Sequence, residues 1–169
     1  MQGKEVSESA VDNHTYKIFP NDLNAYGTAF GGMIMSIIDR IALVVAERHS
    51  GQTCVTASVD SIHFLNPAKR GDILLFSAGI NRAWRTSMEI GIKVVAENYR
   101  TKKKRHILSA YFTFVAMDEE QKPIEVPSVL ATTPEEERRY LEAEYRRSQR
   151  KKMARELKRR REVSDSSDK

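Results

Sequence analysis

A chain of 169 residues has room for one domain, or for one domain with an extension. At 40% hydrophobic and 8% aromatic it can bury a core, which excludes a disordered polymer. The net charge of +5 lies mostly beyond residue 133, so the basic character describes the C-terminal region more than the body.

Cys54 is the one cysteine, so no intrachain disulfide can form, and a reducing compartment is expected. No stretch reaches the roughly 18 apolar residues that a membrane-spanning helix needs. MQGKEVSESAVDNHTY, at the N-terminus, is polar and mildly acidic, unlike a signal or transit peptide. The expectation is a soluble, cytoplasmic protein with no membrane contact.

In chain order, residues 1–15 read as a flexible lead-in. YKIFP (16–20) predicts a short strand closed by Pro20, and NDLNAYGTAFGG (21–32) a turn-rich segment. In MIMSIIDRIALVVAERH (33–49), Ile34, Ile37, Ile38, Ile41, Val44 and Val45 recur at helical spacing. Met33, Met35, Ala42 and Leu43 fill much of the remaining circumference, which predicts a buried helix stopped by Gly51.

The pattern then changes to strands. CVTASVDSIHF (54–64), ILLFSAGINRAW (73–84), SMEIGIKVVAENY (87–99) and HILSAYFTFVAMD (106–118) are β-branched and aromatic runs separated by turns. The fold class is therefore α+β, with one buried helix and a largely antiparallel sheet. One helix cannot cover that sheet and also guard its edges, so a homo-oligomer is expected. PEEERRYLEAEYRRSQRKKMARELKRRRE (134–162) predicts a charged helix, with Pro134 and acids at its start and Lys/Arg late. Tyr140, Leu141, Tyr145, Met153 and Leu157 form only a thin apolar stripe, so this helix is expected to dock weakly or project. Residues 163–169 read as a disordered tail.

Asp39 is the most informative residue. A carboxylate inside an apolar helix is costly to bury unless it is bonded or functional, and desolvation would tune it towards a general base. Alternatively it sits at a rim and pairs with Arg40 or a cation across an interface; the helix alone leaves both open. Upstream, Asn24, Gly27, Gly31 and Gly32 precede the helix. A Gly–Gly pair at a helix start can leave backbone N–H groups open to an oxyanion. The same glycines can equally serve a tight turn and close packing.

Together, Asn24-Ala-Tyr-Gly27-Thr-Ala-Phe-Gly31-Gly32, followed by Asp39, resembles the N-x-x-G-x-x-x-G-G-x6-D pattern of hotdog acyl-CoA thioesterases. The similarity is to the single-domain bacterial group related to brain acyl-CoA hydrolase. It continues through VTASVDSIHFLNPAKRGD (55–72), RTSMEIGIKV (85–94) and AYFTFVAMDEEQKPIEVP (110–127), covering about residues 15–150. The resemblance implies a hotdog domain over 16–133, an antiparallel sheet wrapped around the helix, and dimers that often form a trimer of dimers. It implies acyl-CoA as substrate, with coenzyme A part of the substrate and no separate cofactor or metal. Asp39 of one subunit would face Asn24 of the other, as general base or as nucleophile, with an N–H near Gly31 or Gly32 holding the oxyanion. Arg85, Thr86 and Ser87 occupy the position where related enzymes contact the CoA portion.

Some features stay outside that pattern. TKKKRH (101–106) is a second candidate for phosphate, or a solvated loop. None of His14, His49, His63 and His106 falls between Asn24 and Asp39, which argues against the histidine-dependent dehydratases of similar fold. No G-x-S-x-G elbow is present, and Cys54 reads as a small core residue. Phe30, Met33 and Met35 suggest an adaptable apolar acyl tunnel. Two rival readings remain: an acyl-CoA sensor without turnover, and a nucleic-acid-binding protein using the basic tail, which the acids interspersed from Glu135 to Glu162 weaken.

Overall fold

The computed structural model describes residues 2–167. Its elements are β1 (Lys4–Glu5), β2 (Val11–Lys17), α1 (Gly31–Ser50), β3 (Thr53–Val59), β4 (Ile73–Ala83), β5 (Ser87–Glu97), β6 (Lys104–Met117), β7 (Val129–Leu130) and α2 (Pro134–Ser167). Five strands make an antiparallel sheet in the order β2-β4-β5-β6-β3, and β1 pairs with β7 in a small parallel sheet. One long helix wrapped by an antiparallel sheet is the expected hotdog arrangement. No helix among the described residues is long and apolar enough to cross a membrane.

Alternation along the strands builds the core. Register aligns Phe76 with Val94 and Leu108, Ala78 with Ile92 and Ala110, and Ile80 with Ile90 and Phe112. These buried rows meet Ile34, Ile38, Ile41 and Val45, which repeat at helical spacing along α1. The next row, Met88 and Phe114, ends on β3 at Thr56. α1 is not buried all round: Met35 and Val44 are exposed, and Asp39 is half-buried. A single sheet covers one side of a helix, and the other side of α1 stays open in the single chain.

The N-terminal expectation changes. Residues 4–15 are not a loose lead-in: β1 lies beside β7, Val6 is buried, and β2 starts at Val11. Lys4 Nζ donates to the His49 carbonyl at 2.8 Å, joining this segment to the end of α1. β3 ends at Val59 rather than at 64. Beyond it, Asp60 N–H still donates to Tyr111 O and Leu65 N–H to Ile107 O, but no ladder joins them.

α2 also departs from expectation. Thr133 and Glu136 form a capping box around Pro134: Glu136 N–H donates to Thr133 Oγ1 (3.2 Å), and Thr133 N–H to Glu136 Oε2 (3.1 Å). The first half of the helix docks firmly on the outer face of the sheet, through ions rather than an apolar stripe. Arg146 binds the fully buried Glu89 at 2.7 Å, Arg150 binds Asp60 at 2.8 Å, Trp84 Nε1 donates to Glu144, and Ala143 is buried. The helix runs to Ser167 instead of 162; of the tail expected as disordered, 168 and 169 lie outside the described residues.

Candidate active site

Asp39 stands on the open side of α1, near the unpaired edge strand β3. Thr56 Oγ1 donates to Asp39 Oδ1 at 2.9 Å. The Thr56 side chain faces α1 because it continues the inward row of Met88 and Phe114. Asp39 Oδ2 has no partner among the described residues, so one carboxylate oxygen is held and the other is offered outward. Arg40, the expected structural partner, makes no ion pair with Asp39 among the described residues.

Asn24 lies in a small loop that the body grips at both ends. Buried Asp22 accepts from Phe19 N–H (2.8 Å) and from Tyr16 OH (2.9 Å), and its carbonyl accepts from Phe30 N–H (2.8 Å). The bond to Asp22 pushes the Tyr16 phenol above its ordinary value, because ionising it would place a second anion there. Ala29 N–H donates to Ala68 O at 2.7 Å. Within the loop, Asn24 Oδ1 accepts from Tyr26 and Thr28 N–H (2.9 and 3.2 Å), and Gly27 takes φ +71°. Asn24 Nδ2 donates one proton to Thr28 Oγ1 at 2.9 Å and keeps a second. Asn24 and Asp39 are not hydrogen-bonded within one chain.

α1 begins at Gly31, and no side chain caps it. Met33 and Ile34 N–H donate to Phe30 O, while the N–H groups of Gly31 and Gly32 have no partner among the described residues. Neither glycine has a positive φ. A Cβ on Gly32 would meet Phe30 Cε1 at 2.6 Å, and one on Gly31 would meet Phe64 Cζ at 3.3 Å. These glycines keep the helix start narrow beneath two rings; the turn itself needs only Gly27.

Arg85 and Thr86 lie in the β4–β5 turn, and Ser87 opens β5. The backbone here is fixed by Trp84 N–H to Ser87 O, Ala116 N–H to Thr86 O and Val126 N–H to Arg85 O, which leaves the Arg85 side chain exposed. The turn is two strands across the sheet from β3. The TKKKRH segment closes the other end of β5, roughly 35 Å away at strand rise, so one nucleotide's phosphates cannot touch both in a single chain. Arg105 is already bound to Asp72 and to Pro67 O.

Residues 26–102 match the family model of the thioesterase superfamily. The chain is 39% identical over 122 residues to a Bacillus subtilis protein named as an uncharacterized acyl-CoA thioester hydrolase, covering 72% of this chain and 71% of that one. The chain belongs to the thioesterase superfamily. Among solved superfamily structures, a hexameric acyl-CoA thioesterase superposes with a TM-score of 0.88 at 38% identity, covering 91% of this chain and 98% of that one. A Staphylococcus aureus acyl-CoA hydrolase, solved with butyryl coenzyme A and coenzyme A, gives a TM-score of 0.86 at 38% identity, covering 95% and 97%. Structures of its variants replace an aspartate, an asparagine and a threonine by alanine.

Thr56, which holds Asp39, is the residue of this candidate site that sequence reasoning missed. Threonine is an ordinary strand residue, and nothing local sets Thr56 apart from Thr53. The usable signal was the strand register, which puts a hydroxyl on an otherwise apolar row facing Asp39 of α1. Cys54, two residues earlier, is buried, and burial pushes its thiol up, so it is unsuited to nucleophilic attack.

Proposed function

We propose that this chain hydrolyses the thioester of acyl-CoA to a free acid and coenzyme A, at sites formed between two subunits. The carrying observation is a separation along α1. The open N–H groups of Gly31 and Gly32 and the carboxylate of Asp39 lie on the same helix, roughly 10 Å apart at 1.5 Å per residue. One thioester carbonyl cannot meet both in a single chain. A second copy supplies the missing half.

The pairing edge is β3. The β2 edge carries Asp12, His14 and Lys17 and is broken by a bulge between Val11 and His14, a guarded edge. On β3, Val55 and Val59 are exposed, and so are Met35 and Val44 of α1. Antiparallel pairing of two β3 edges would bury these residues and bring Asp39 of one subunit towards Asn24 and Gly31–Gly32 of the other. Dimers of this kind can assemble further into a trimer of dimers; the hexameric state of the neighbouring thioesterase supports that reading.

In the proposed reaction Asp39 Oδ2 takes a proton from water as the water attacks the thioester carbon. Asn24 Nδ2 holds the water or the carbonyl, and the Gly31 or Gly32 N–H groups stabilise the oxyanion. The C–S bond then breaks and the CoA thiolate recovers the proton. Direct attack by Oδ2 through an anhydride gives the same products; water labelled with oxygen-18 separates the routes, because only the anhydride route can leave label in Asp39. The three altered residues of the Staphylococcus aureus enzyme follow the order and spacing of Asn24, Asp39 and Thr56, which supports these assignments. Arg85, Thr86 and Ser87 are assigned to the CoA portion, where a cation and hydroxyls suit phosphate. No metal or separate cofactor enters this scheme, and the single buried Cys54 suits a reducing, cytoplasmic setting.

Incubation with acyl-CoA and a thiol reagent tests the proposal. Repeated release of free thiol is expected, and Asp39→Ala should lower kcat by about 10²–10⁴ with assembly intact. Stoichiometric binding without turnover would identify a sensor instead.

A further inference from the structure

We propose that the part of α2 beyond Arg150 lies on the second subunit and clamps the pair together; this rests on the pairing of β3 edges proposed above. α2 crosses the outer face of the sheet in strand order. Tyr140 packs its ring on Arg82 of β4 (4.1 Å), Arg146 reaches Glu89 of β5 and the Tyr111 ring of β6 (3.7 Å), and Arg150 holds Asp60 just past β3. Arg150 also reaches Glu89 of β5, so at this residue the helix is within one side chain's length of the edge of its own sheet. From there to Glu162 about 18 Å of helix remain, nearly four strand widths at about 4.8 Å each.

The face that points at the sheet continues along this overhang. Ala143, Arg146 and Arg150 face the sheet, and Ala154, Leu157 and Arg161 follow Arg150 at helical spacing on the same side. Ala143 is buried, whereas Leu157 is 47% exposed, because no strand of its own chain lies beneath it. Antiparallel β3 pairing sets Asp60 of one subunit beside the start of β3 in the other. That corner is an open cleft whose walls include Val55, Met117, Asp118 and Glu119. Val55 and Met117 suit Leu157, and the acids suit Lys158 and Arg161. The complementarity commits the overhang to a second copy of this chain rather than to an anionic lipid surface or a nucleic acid.

Dilution followed by analytical ultracentrifugation tests the clamp, with Trp84 fluorescence reporting that α2 stays docked. Leu157→Asp is expected to raise the concentration at which subunits separate at least tenfold, as is Lys158→Glu with Arg161→Glu. Adding Glu119→Lys to the latter pair should restore most of the loss. Unchanged dissociation of Leu157→Asp alongside an oligomeric wild type overturns the clamp alone. A wild type that is monomeric throughout overturns the β3 pairing and the clamp with it. Loss of binding to phosphatidylglycerol vesicles with assembly unchanged also overturns it, and assigns the overhang to a membrane surface.

Discussion

Thr56 and Asp39 show how one hydrogen bond organises the proposed chemistry. Asp39 could rotate freely on an open helix face; the Thr56 hydroxyl fixes Oδ1 and so aims Oδ2. A hydrogen bond to a charged group is worth about 1.5–3 kcal/mol, so Thr56→Ala should lower kcat about 10-fold to 100-fold with less effect on KM. Thr56→Ser, which keeps the hydroxyl, should recover most of the rate. Steady-state kinetics on the two variants checks this, and an unchanged kcat in Thr56→Ala would remove Thr56 from the mechanism. Asp39 was legible in the sequence because an acid interrupts an apolar helix. Thr56 was not, because its meaning depends on which residue lies across the sheet.

His49 makes the fold sensitive to acid. Its Nε2 lies 2.9 Å from Pro127 O, which can only accept, so the ring proton sits on Nε2 and buried Nδ1 has no partner. Burial, reinforced by the Lys4 ammonium, holds His49 below its ordinary value despite the Pro127 bond. The unfolded chain therefore takes up a proton near pH 6.5 that the folded chain refuses. Stability should fall as pH drops below about 6.5 and stay level above it. Thermal unfolding at pH 7.5 and 5.5 reads the effect; His49→Gln, which keeps a donor to Pro127, should show a smaller drop between the two. An equal drop in both proteins would assign the acid sensitivity elsewhere.

At the level of elements, α2 is where sequence reasoning went furthest astray. Its apolar stripe is thin, so weak docking followed from the hydrophobic pattern. The helix is instead seated on a buried carboxylate. Glu89 is 0% exposed and meets Arg146 and Arg150, with Asn81 donating a further bond at 3.0 Å. The clue was present: Glu89 interrupts SMEIGIKV, a strand otherwise fit for burial. Removing one partner of a buried ion pair costs about 3–5 kcal/mol, because the other charge is left unpaired. Glu89→Ala or Arg146→Ala should lower the denaturation midpoint accordingly. The double variant should lose clearly less than the two single losses combined, and denaturant titration measures this. Additive losses would mean that the two residues act independently. By contrast, α1 and β4–β6 were legible almost to their ends, since a core built on period-2 and period-3.6 burial writes itself into local pattern.

For the whole molecule, the open side of α1 and the apolar β3 edge make the single chain an unfinished object. Sequence pattern predicted a helix buried all round, and the structure supplies cover for only one of its sides. The difference marks where another subunit belongs. The same incompleteness appears in the chemistry, because the carboxylate and the helix-start N–H groups cannot converge within one chain. Composition and periodicity describe one chain at a time, so the resemblance to thioesterases, rather than the pattern itself, pointed to a shared site.

Subunit complementation tests whether two chains share each site. Asp39→Ala and Asn24→Ala are each expected to be nearly inactive. Unfolded, mixed in equal amounts and refolded together, they form hybrid pairs in which one site keeps both Asp39 and Asn24. Random pairing makes half the dimers hybrid with one of two sites intact, so thioester hydrolysis should return to about a quarter of wild type. A mixture that stays as inactive as its two components would contradict a site shared between subunits.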